Sequence, residues 1–436
     1  MKIPGGLRAA IVILALTPHQ PVTAQLFGDT VSARTLQLPD QVKQEREEAR
    51  FRLGAVRLMP YLNLRDIGYN NNVLGTYSGE KVADYTATVA PGARILVPFG
   101  QKVVLRAGAE PSYYWWRDLT YLRGWGFNGD GQVLALLNRV TIGAGGRYAD
   151  TIQLVNSGSN SWTHQKQSTG DAALEMEFLK RLSAFGTYRV VQTRLDDSGF
   201  AQPGGAQSQL LDRTEYGARA GLRYRVDSGL SVRLMGQWSR AQFVNEPIAR
   251  NDEGVGAVAT VRYDRERLYV DLSGGYQQAK GAYEQGSFPE YRTGTYSYFV
   301  SYFIARKVEV QVSGWRRPQY SYYTQNPYFF ETRNGVMLNF GLGYRVILGG
   351  SLSVGTNAYP VAVWNGTALL SPQDDVVSVG GTLGFNLSPT TKLAVTVRND
   401  QYTSNFPGQG RSVLTVAGGL NWNFGMLQVG AGVQTR

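Results

Sequence analysis

Cysteine is absent from the 436 residues. No disulfide can staple the chain, and no thiolate can act as nucleophile or metal ligand. Histidine is almost absent as well, with only His19 and His164. Ser161 lies close to His164, but no acid is aligned with the pair, and no residues stand at zinc-ligand spacing. No catalytic residue, metal or cofactor is therefore expected, and an enzymatic role is disfavoured. Long apolar runs are missing too. Past the first 24 residues nothing approaches the ~20 residues that a membrane-crossing helix requires.

The N-terminus supplies the compartment. Lys2 and Arg8 form a basic start, Ala9 to Leu16 is a short apolar stretch, and Val22-Thr23-Ala24 offers small residues before Gln25. That pattern reads as a cleavable secretory signal over residues 1–24, a buried N-terminal helix being the alternative. The formal charge is +11, and removing Lys2 and Arg8 leaves +9. Export argues against nucleic acid as the partner of this basic chain. An anionic solute, or the anionic lipopolysaccharide of an outer membrane, fits better.

Residues 25–52 form a separate periplasmic segment. Pro39 to Arg50 is polar, with good helix formers and acid–base pairs at i,i+4 spacing. It reads as a solvated helix or disordered leader, or as a docking element for a periplasmic export protein.

From residue 53 onwards the period changes to two. Tyr216, Ala218, Ala220, Leu222, Tyr224 and Val226 alternate with Gly217, Arg219, Gly221, Arg223 and Arg225. Val336, Leu338, Phe340, Leu342, Tyr344 and Val346 do the same, as do Val377 to Leu387 with a break in phase at Gly380-Gly381. One face of each is apolar; the other is small, polar or arginine. With 52 Gly, 26 Tyr, 17 Phe and 8 Trp, such repetition suits a barrel with an apolar outside and a polar inside. The fold class expected is thus all-β, a transmembrane antiparallel up-and-down barrel over residues 53–436.

Connections alternate between short and long. Short ones are expected at 98–101, 137–139, 227–229, 264–267, 348–350 and 388–390. Longer Gly/Asn/Ser/Pro-rich loops are expected near 66–80, 117–127, 152–165, 196–210, 241–252, 279–290, 317–330, 361–374 and 400–411. Tight turns belong on the periplasmic rim and long loops outside. The segments number about eighteen, enough to close a backbone cylinder ~35 Å across. Its interior should hold water, loops or a plug. Residues 426–433 read as one more strand, as a tail folded into the pore, or as a sign that one hairpin is miscounted.

The first strands carry Pro60-Tyr61-Leu62, Gly68-Tyr69-Asn70-Asn71-Asn72-Val73, Asp84-Tyr85, Val89-Ala90-Pro91-Gly92, Phe99-Gly100 and Tyr113-Tyr114. These motifs resemble the outer-membrane β-barrel porins linked with exopolysaccharide and capsule export, the EpsL-like group. The resemblance covers the first third of the chain. It implies a conduit for a surface polysaccharide, or a partner of its export machinery, and carries over no binding residue.

By alternation Arg94, Arg106, Arg147, Arg189, Arg219, Arg223, Arg225, Arg233, Arg262, Arg345 and Arg398 point inward, with Asp84, Glu110, Glu175, Glu177, Glu215, Asp271 and Glu309. They either pair across the wall and solvate it, or leave a positive channel for anions. The aromatic runs Tyr113 to Trp116, Trp125 and Tyr320, Tyr322, Tyr323, Tyr328 suit a headgroup girdle. If Trp115 faces lipid, Tyr114 and Trp116 face the lumen, where aromatic rings can serve as sugar platforms. Two functions remain in view: a polysaccharide-export conduit, and a general or anion-selective diffusion porin.

Overall fold

The computed structural model describes residues 49–76, 81–100, 102–154, 162–196, 208–244, 250–281, 288–304, 307–321, 323, 325–343, 345–364, 368–406 and 409–424. The segments 1–48 and 425–436 lie outside it. So do the leader, most of the 25–52 segment and the extra strand expected at 426–433.

Among the described residues nineteen strands form one antiparallel sheet, and eighteen of them make the barrel. In chain order these are β1 (Val56–Asn70), β2 (Asp84–Phe99), β3 (Val103–Trp116), β4 (Gly124–Leu136), β5 (Val140–Leu154) and β6 (Trp162–Leu179). Next come β7 (Leu182–Asp196), β8 (Arg213–Arg225), β9 (Leu230–Phe243), β10 (Asp252–Arg265), β11 (Leu268–Gly281) and β12 (Tyr291–Ile304). The last six are β13 (Val308–Tyr320), β14 (Tyr328–Leu342), β15 (Val346–Ala358), β16 (Gln373–Ser388), β17 (Thr391–Ser404) and β18 (Arg411–Trp422). Each pairs with the next, and β18 closes on β1 from Leu62↔Trp422 to Asn70↔Thr415. Closure removes every sheet edge, which a bilayer requires because it offers no water to unpaired amides.

Alternation places the side chains as the composition demands. Leu222, Tyr224, Val336, Leu338, Phe340, Val377 and Val379 all stand exposed on the outside. Outward aromatics gather at two levels. Tyr85, Trp115, Trp125, Tyr148 and Tyr276 lie towards the long loops, and Phe99, Phe178, Tyr224, Tyr302 and Trp422 towards the short turns. An apolar band between aromatic rims matches a membrane with its two headgroup levels. Tyr320 and Tyr328 do not join a rim. They are 3% and 1% exposed, inside a cluster with Leu211, Phe243, Phe288 and Tyr291 at the long-loop end.

Short turns of two to four residues alternate with long connections of six to sixteen. Three details depart from the alternation read in the sequence. The short connections at Lys180–Arg181 and between the strands ending at Ile304 and starting at Val308 carry no Gly-rich punctuation. The turn expected at 348–350 falls instead at 343–345, where Gly343 takes φ +69°. Gly349 and Gly350 lie inside β15, opposite Asn339 and Leu338. β16 also runs without a phase break through Gly380-Gly381, which face Arg398 and Val397 in continuous register.

The seam between β1 and β18 contains the one bulge of β1. Pairing with both neighbours shifts between Leu64 and Gly68, and Asp66 adopts φ +55°. The extra residue swaps the faces of β1: Tyr61, Asn63 and Arg65 face the lumen, whereas Ile67 and Tyr69 face out. Gly68 follows directly, and a Cβ there would collide with the Val416 carbonyl oxygen and lie 2.8 Å from Ala417 Cα. Backbone on a closure strand cannot retreat cheaply. Gly68→Val is expected to destabilise the barrel by about 3 kcal/mol or more and to lower the temperature at which the folded band disappears in heat-modifiable electrophoresis. An unchanged transition would refute the close approach.

The motif residues of the first loop brace that seam. Asn71 donates its N–H to Leu414 O (3.0 Å) and accepts from Leu414 N at Oδ1 (2.7 Å). Buried Asn72 bonds Thr76 and Ser412 O. Asp84 accepts the amides of Asp118 and Leu119 (3.0 and 2.7 Å), so this inward carboxylate anchors a loop rather than lining a channel.

Candidate functional site in the lumen wall

Alternation puts Arg94, Arg106, Arg147, Arg189, Arg219, Arg223, Arg225, Arg233, Arg262, Arg398, Glu110 and Glu215 on the lumen side of their strands, together with Glu175, Glu177, Asp271 and Glu309. Their outward neighbours Ile95, Leu105, Tyr148, Tyr188, Leu222, Tyr224, Leu234, Val261, Leu272 and Val397 are the exposed residues. Arg345 is the exception. It belongs to the turn at 343–345, is exposed, and lines nothing. The sequence pattern misplaced it because the alternation of β14 happens to continue in phase through the turn.

Most lumen charges are paired. Arg65 meets Glu110 at 3.0 Å, Arg213 meets Glu215 at 2.5 Å and Arg398 meets Asp400 at 2.7 Å. Glu331 lies between Arg317 (2.9 Å) and Arg333 (3.5 Å). Six of these were missed from sequence, Asp400 among them because it falls in the stretch 400–411 read as a loop although β17 runs to Ser404. Arg65 sits beside the bulge, where the period fails. Arg213, Arg317, Glu331 and Arg333 sit where strands extend into segments read as loops or their margins.

The exception to pairing lies on β8–β10. Arg223 and Arg233 stand directly opposite one another across the β8–β9 ladder, which brings their Cβ atoms within about 4.5–5.5 Å. Like charges so placed repel unless each has a counter-charge. Arg223 has one, in its ion pair with Glu175, which Ser183 Oγ also supports at 2.9 Å. Arg262, beyond Arg233 on β10, is held by Asp271 through Nε (2.9 Å) and Nη2 (2.5 Å). Arg233 has none. It is 7% exposed, its Nε has no acceptor, and it forms no ion pair or hydrogen bond among the described residues. Arg225, one step towards the short-turn end, and Arg147 on β5 are likewise unpaired among those residues. Positive charge is therefore left over at Arg225 and Arg233 on this sector, and separately at Arg147 on β5.

Four strands further round, the balance changes sign. Glu309 is 4% exposed and accepts from Ser301 Oγ (2.5 Å) and Gln311 Nε2 (2.9 Å), with no cation paired to it among the described residues. The lumen is thus charged in sectors rather than uniformly positive.

The two sugar-platform candidates do point inward, as expected from Trp115 outside. Tyr114 and Trp116 are only 7% and 5% exposed, packed with Val73, Leu122 and Ile152. Trp162 meets the Trp116 ring edge-on at 5.2 Å and donates its indole N–H to Val73 O at 2.7 Å. Little ring face is left for a sugar. His164 lies within β6 rather than in a loop, 3.4 Å from Asp150, and Ser161 is outside the described residues.

A second polar constellation stands at the long-loop end, above the apolar band. Outward neighbours there are Glu253, Lys280 and Arg292, where lower positions carry Val255, Tyr276 and Tyr296. Asp252 is fully buried and accepts the Tyr320 hydroxyl at 2.7 Å. Arg213 lies over the Tyr320 ring, 4.8 Å from its centroid. Burial, and secondarily Glu215 nearby, pushes the Asp252 carboxyl up to about 8. Burial and Asp252 together hold the Tyr320 hydroxyl well above its ordinary range.

Two solved structures share this architecture. A BenF-like porin from Pseudomonas fluorescens Pf-5 superposes with a TM-score of 0.50 at 12% identity, over 85% of this chain and 99% of that one. Pseudomonas aeruginosa OccK9 (OpdG) gives 0.50 at 12% identity, over 84% and 98%. The fold is that of a porin barrel. No protein-family model matches the sequence, and no curated protein does.

Proposed function

We propose that the chain is an outer-membrane diffusion channel with a preference for small anions, its long loops facing the medium. The observation that supports this is Arg233: a nearly buried guanidinium, opposite a second arginine, with no carboxylate of its own. An anion passing along β8–β10 supplies the missing counter-charge, and a cation meets repulsion there. The porin fold and the apolar outer band support the channel and its location. Export of a polysaccharide rests on the opening motifs alone. The structure uses Asn71, Asn72 and Asp84 of those motifs as braces, and Tyr114 and Trp116 are covered, so diffusion is the preferred reading.

Purified protein in a planar bilayer under a potassium chloride gradient should conduct, with a reversal potential of the sign for chloride preference. A potassium-selective potential refutes the anion reading. In cells, deletion should slow uptake of a small carboxylate and leave surface polysaccharide normal. Loss of polysaccharide with unchanged uptake would restore the export conduit.

A further inference from the structure

Arg213 on β8 and Tyr320 on β13 belong to strands five apart, about 24 Å along the wall at ~4.8 Å per strand. Yet the Arg213 guanidinium lies 4.8 Å from the Tyr320 ring centroid. Tyr320 also meets Phe243 of β9 edge-on at 5.0 Å and donates its hydroxyl to Asp252 of β10. Phe243 and Asp252 alternate with the outward residues Leu234 and Val255, which puts both inside the barrel. Side chains cannot reach so far around the circumference. The end of the β13–β14 hairpin therefore cuts across the lumen.

The ladders show how the hairpin leaves the wall. β12 and β13 pair only as far as Tyr296↔Arg316, although β12 begins at Tyr291 and β13 runs on to Tyr320. On the other side pairing is kept. Tyr320↔Tyr328 joins the two arms, and Phe330↔Ala358 joins them to β15. Asn326 and Val361 add two reciprocal hydrogen bonds, of 3.0 and 2.8 Å. One edge, 317–321, is thus detached from the neighbouring ladder, and the other is bound along β15. The detached edge rests on the inner wall. Tyr328 packs on Tyr291 (4.8 Å) and Phe288 (5.2 Å), with Leu211, Ala241 and Ala279 in the same cluster. Two polar contacts fasten it: Tyr320 on Asp252, and Arg250 Nη1 on Ser321 O at 2.9 Å. Asp252 Oδ1 and the Tyr291 hydroxyl are buried there with no hydrogen-bond partner among the described residues. Such atoms favour water, and the closed hairpin keeps it from them.

We propose that this hairpin is a flap over the long-loop mouth, hinged along β15 and latched on Asp252, which lifts and widens the pore when that carboxyl loses its proton. With the flap shut, burial holds the carboxyl at about 8; lifted, it meets water and returns to about 3.9. Between those values each rise of one pH unit favours the open form about tenfold. The groups facing Asp252 do not offset this. Tyr320 of β13 and Tyr291 of β12 stay neutral, both held well above the ordinary tyrosine range by burial. Arg213 of β8 is paired with Glu215 at 2.5 Å, and Glu215 acts on the carboxyl more strongly than Arg213 does. Arg250, two residues earlier, is turned to Ser321, and β9 and β11 present Ala241, Phe243 and Ala279.

The full chain has no cysteine, so single thiols report on the flap. Ala279→Cys places one in the covered cluster, and Ser228→Cys one on an exposed turn. The rate of labelling by a small maleimide at Ala279→Cys, divided by that at Ser228→Cys, should rise at least tenfold between pH 5 and pH 9. With Asp252→Asn added, the ratio should stay flat. In a bilayer the conductance of the parent should rise about twofold over the same range, and Asp252→Asn should hold its low-pH value. A flat labelling ratio in the parent overturns the flap, as does a rise that Asp252→Asn leaves unchanged. A labelling rise at constant conductance overturns the widening. The conductance rests on the channel reading above and the labelling does not, so a labelling rise in a protein that never conducts supports the flap and refutes the channel. Should Ala279→Cys fail to fold, the conductance of parent and Asp252→Asn decides alone.

Discussion

Replacing Arg223 and Arg233 together by glutamate is expected to invert the ion preference of the channel from chloride to potassium. In water a unit charge about 5 Å from a passing ion contributes roughly 0.8 kcal/mol. The double reversal swings four units, a few kcal/mol before screening. In 0.1 M salt, with a Debye length of about 10 Å, enough survives for a shift of about tenfold in the anion-to-cation permeability ratio; in 1 M salt, at about 3 Å, most of it disappears. Arg223→Gln with Arg233→Gln should abolish the preference without inverting it. The reversal potential at both salt concentrations reads all three cases, with folding verified by heat-modifiable mobility. A potential that ignores the reversal at low salt would mean that these arginines only stiffen the wall, their charge being neutralised by Glu175 and its neighbours.

The second large effect is one of pH. Asp252 is held neutral by burial, with its carboxyl at about 8 in the folded chain against about 3.9 in an unfolded one. Between those values the folded state keeps a proton that the unfolded state has released. Stability contributed by this group is fully present below pH 4, falls as pH rises, and is gone above pH 8. The window spans about four pH units, so the loss is of the order of a few kcal/mol, concentrated at the long-loop end where Tyr320, Tyr291 and Phe243 pack. Asp252→Asn keeps an acceptor for the Tyr320 hydroxyl and cannot ionise. Its melting temperature should therefore fall less than that of the parent between pH 5 and pH 9. Parallel slopes for the two proteins would show that Asp252 ionises without penalty, contrary to its burial.

Much of the architecture was legible because a barrel writes its period into every strand. Leu222 and Tyr224, or Val336, Leu338 and Phe340, could be assigned outward from alternation alone, and the inward side of Arg219, Arg223 and Arg233 followed. Failures came where the period is locally uninformative. Arg345 continues the phase of β14 through a turn. Gly349-Gly350 carries turn chemistry but lies in a strand, since neighbours on both sides hold it in register. Arg65 sits beside a bulge that no spacing reveals, and Arg317 and Glu331 lie on strand ends that rise above the membrane and so lose their apolar partners. The aromatic candidates show the complementary limit. Alternation gave the side on which Tyr114 and Trp116 project, but not the loop residues Val73 and Leu122 that cover them.

By itself the sequence determined the class of solution: strands rather than helices, an apolar outside and a polar inside, short turns on one rim and long loops on the other. These follow from local chemistry, period two and the lack of any apolar run or cysteine. Which charges are spent and which remain was decided only in three dimensions. Register sets Arg223 against Arg233 and hands Asp271 to Arg262, and it depends on every hairpin around the ring together with the bulge at Asp66. The same closure turns Met59, Leu96, Val104 and Leu134, scattered over four strands, into one apolar cluster. A residue's side of the wall is a local property, whereas its partner is set by the whole circumference.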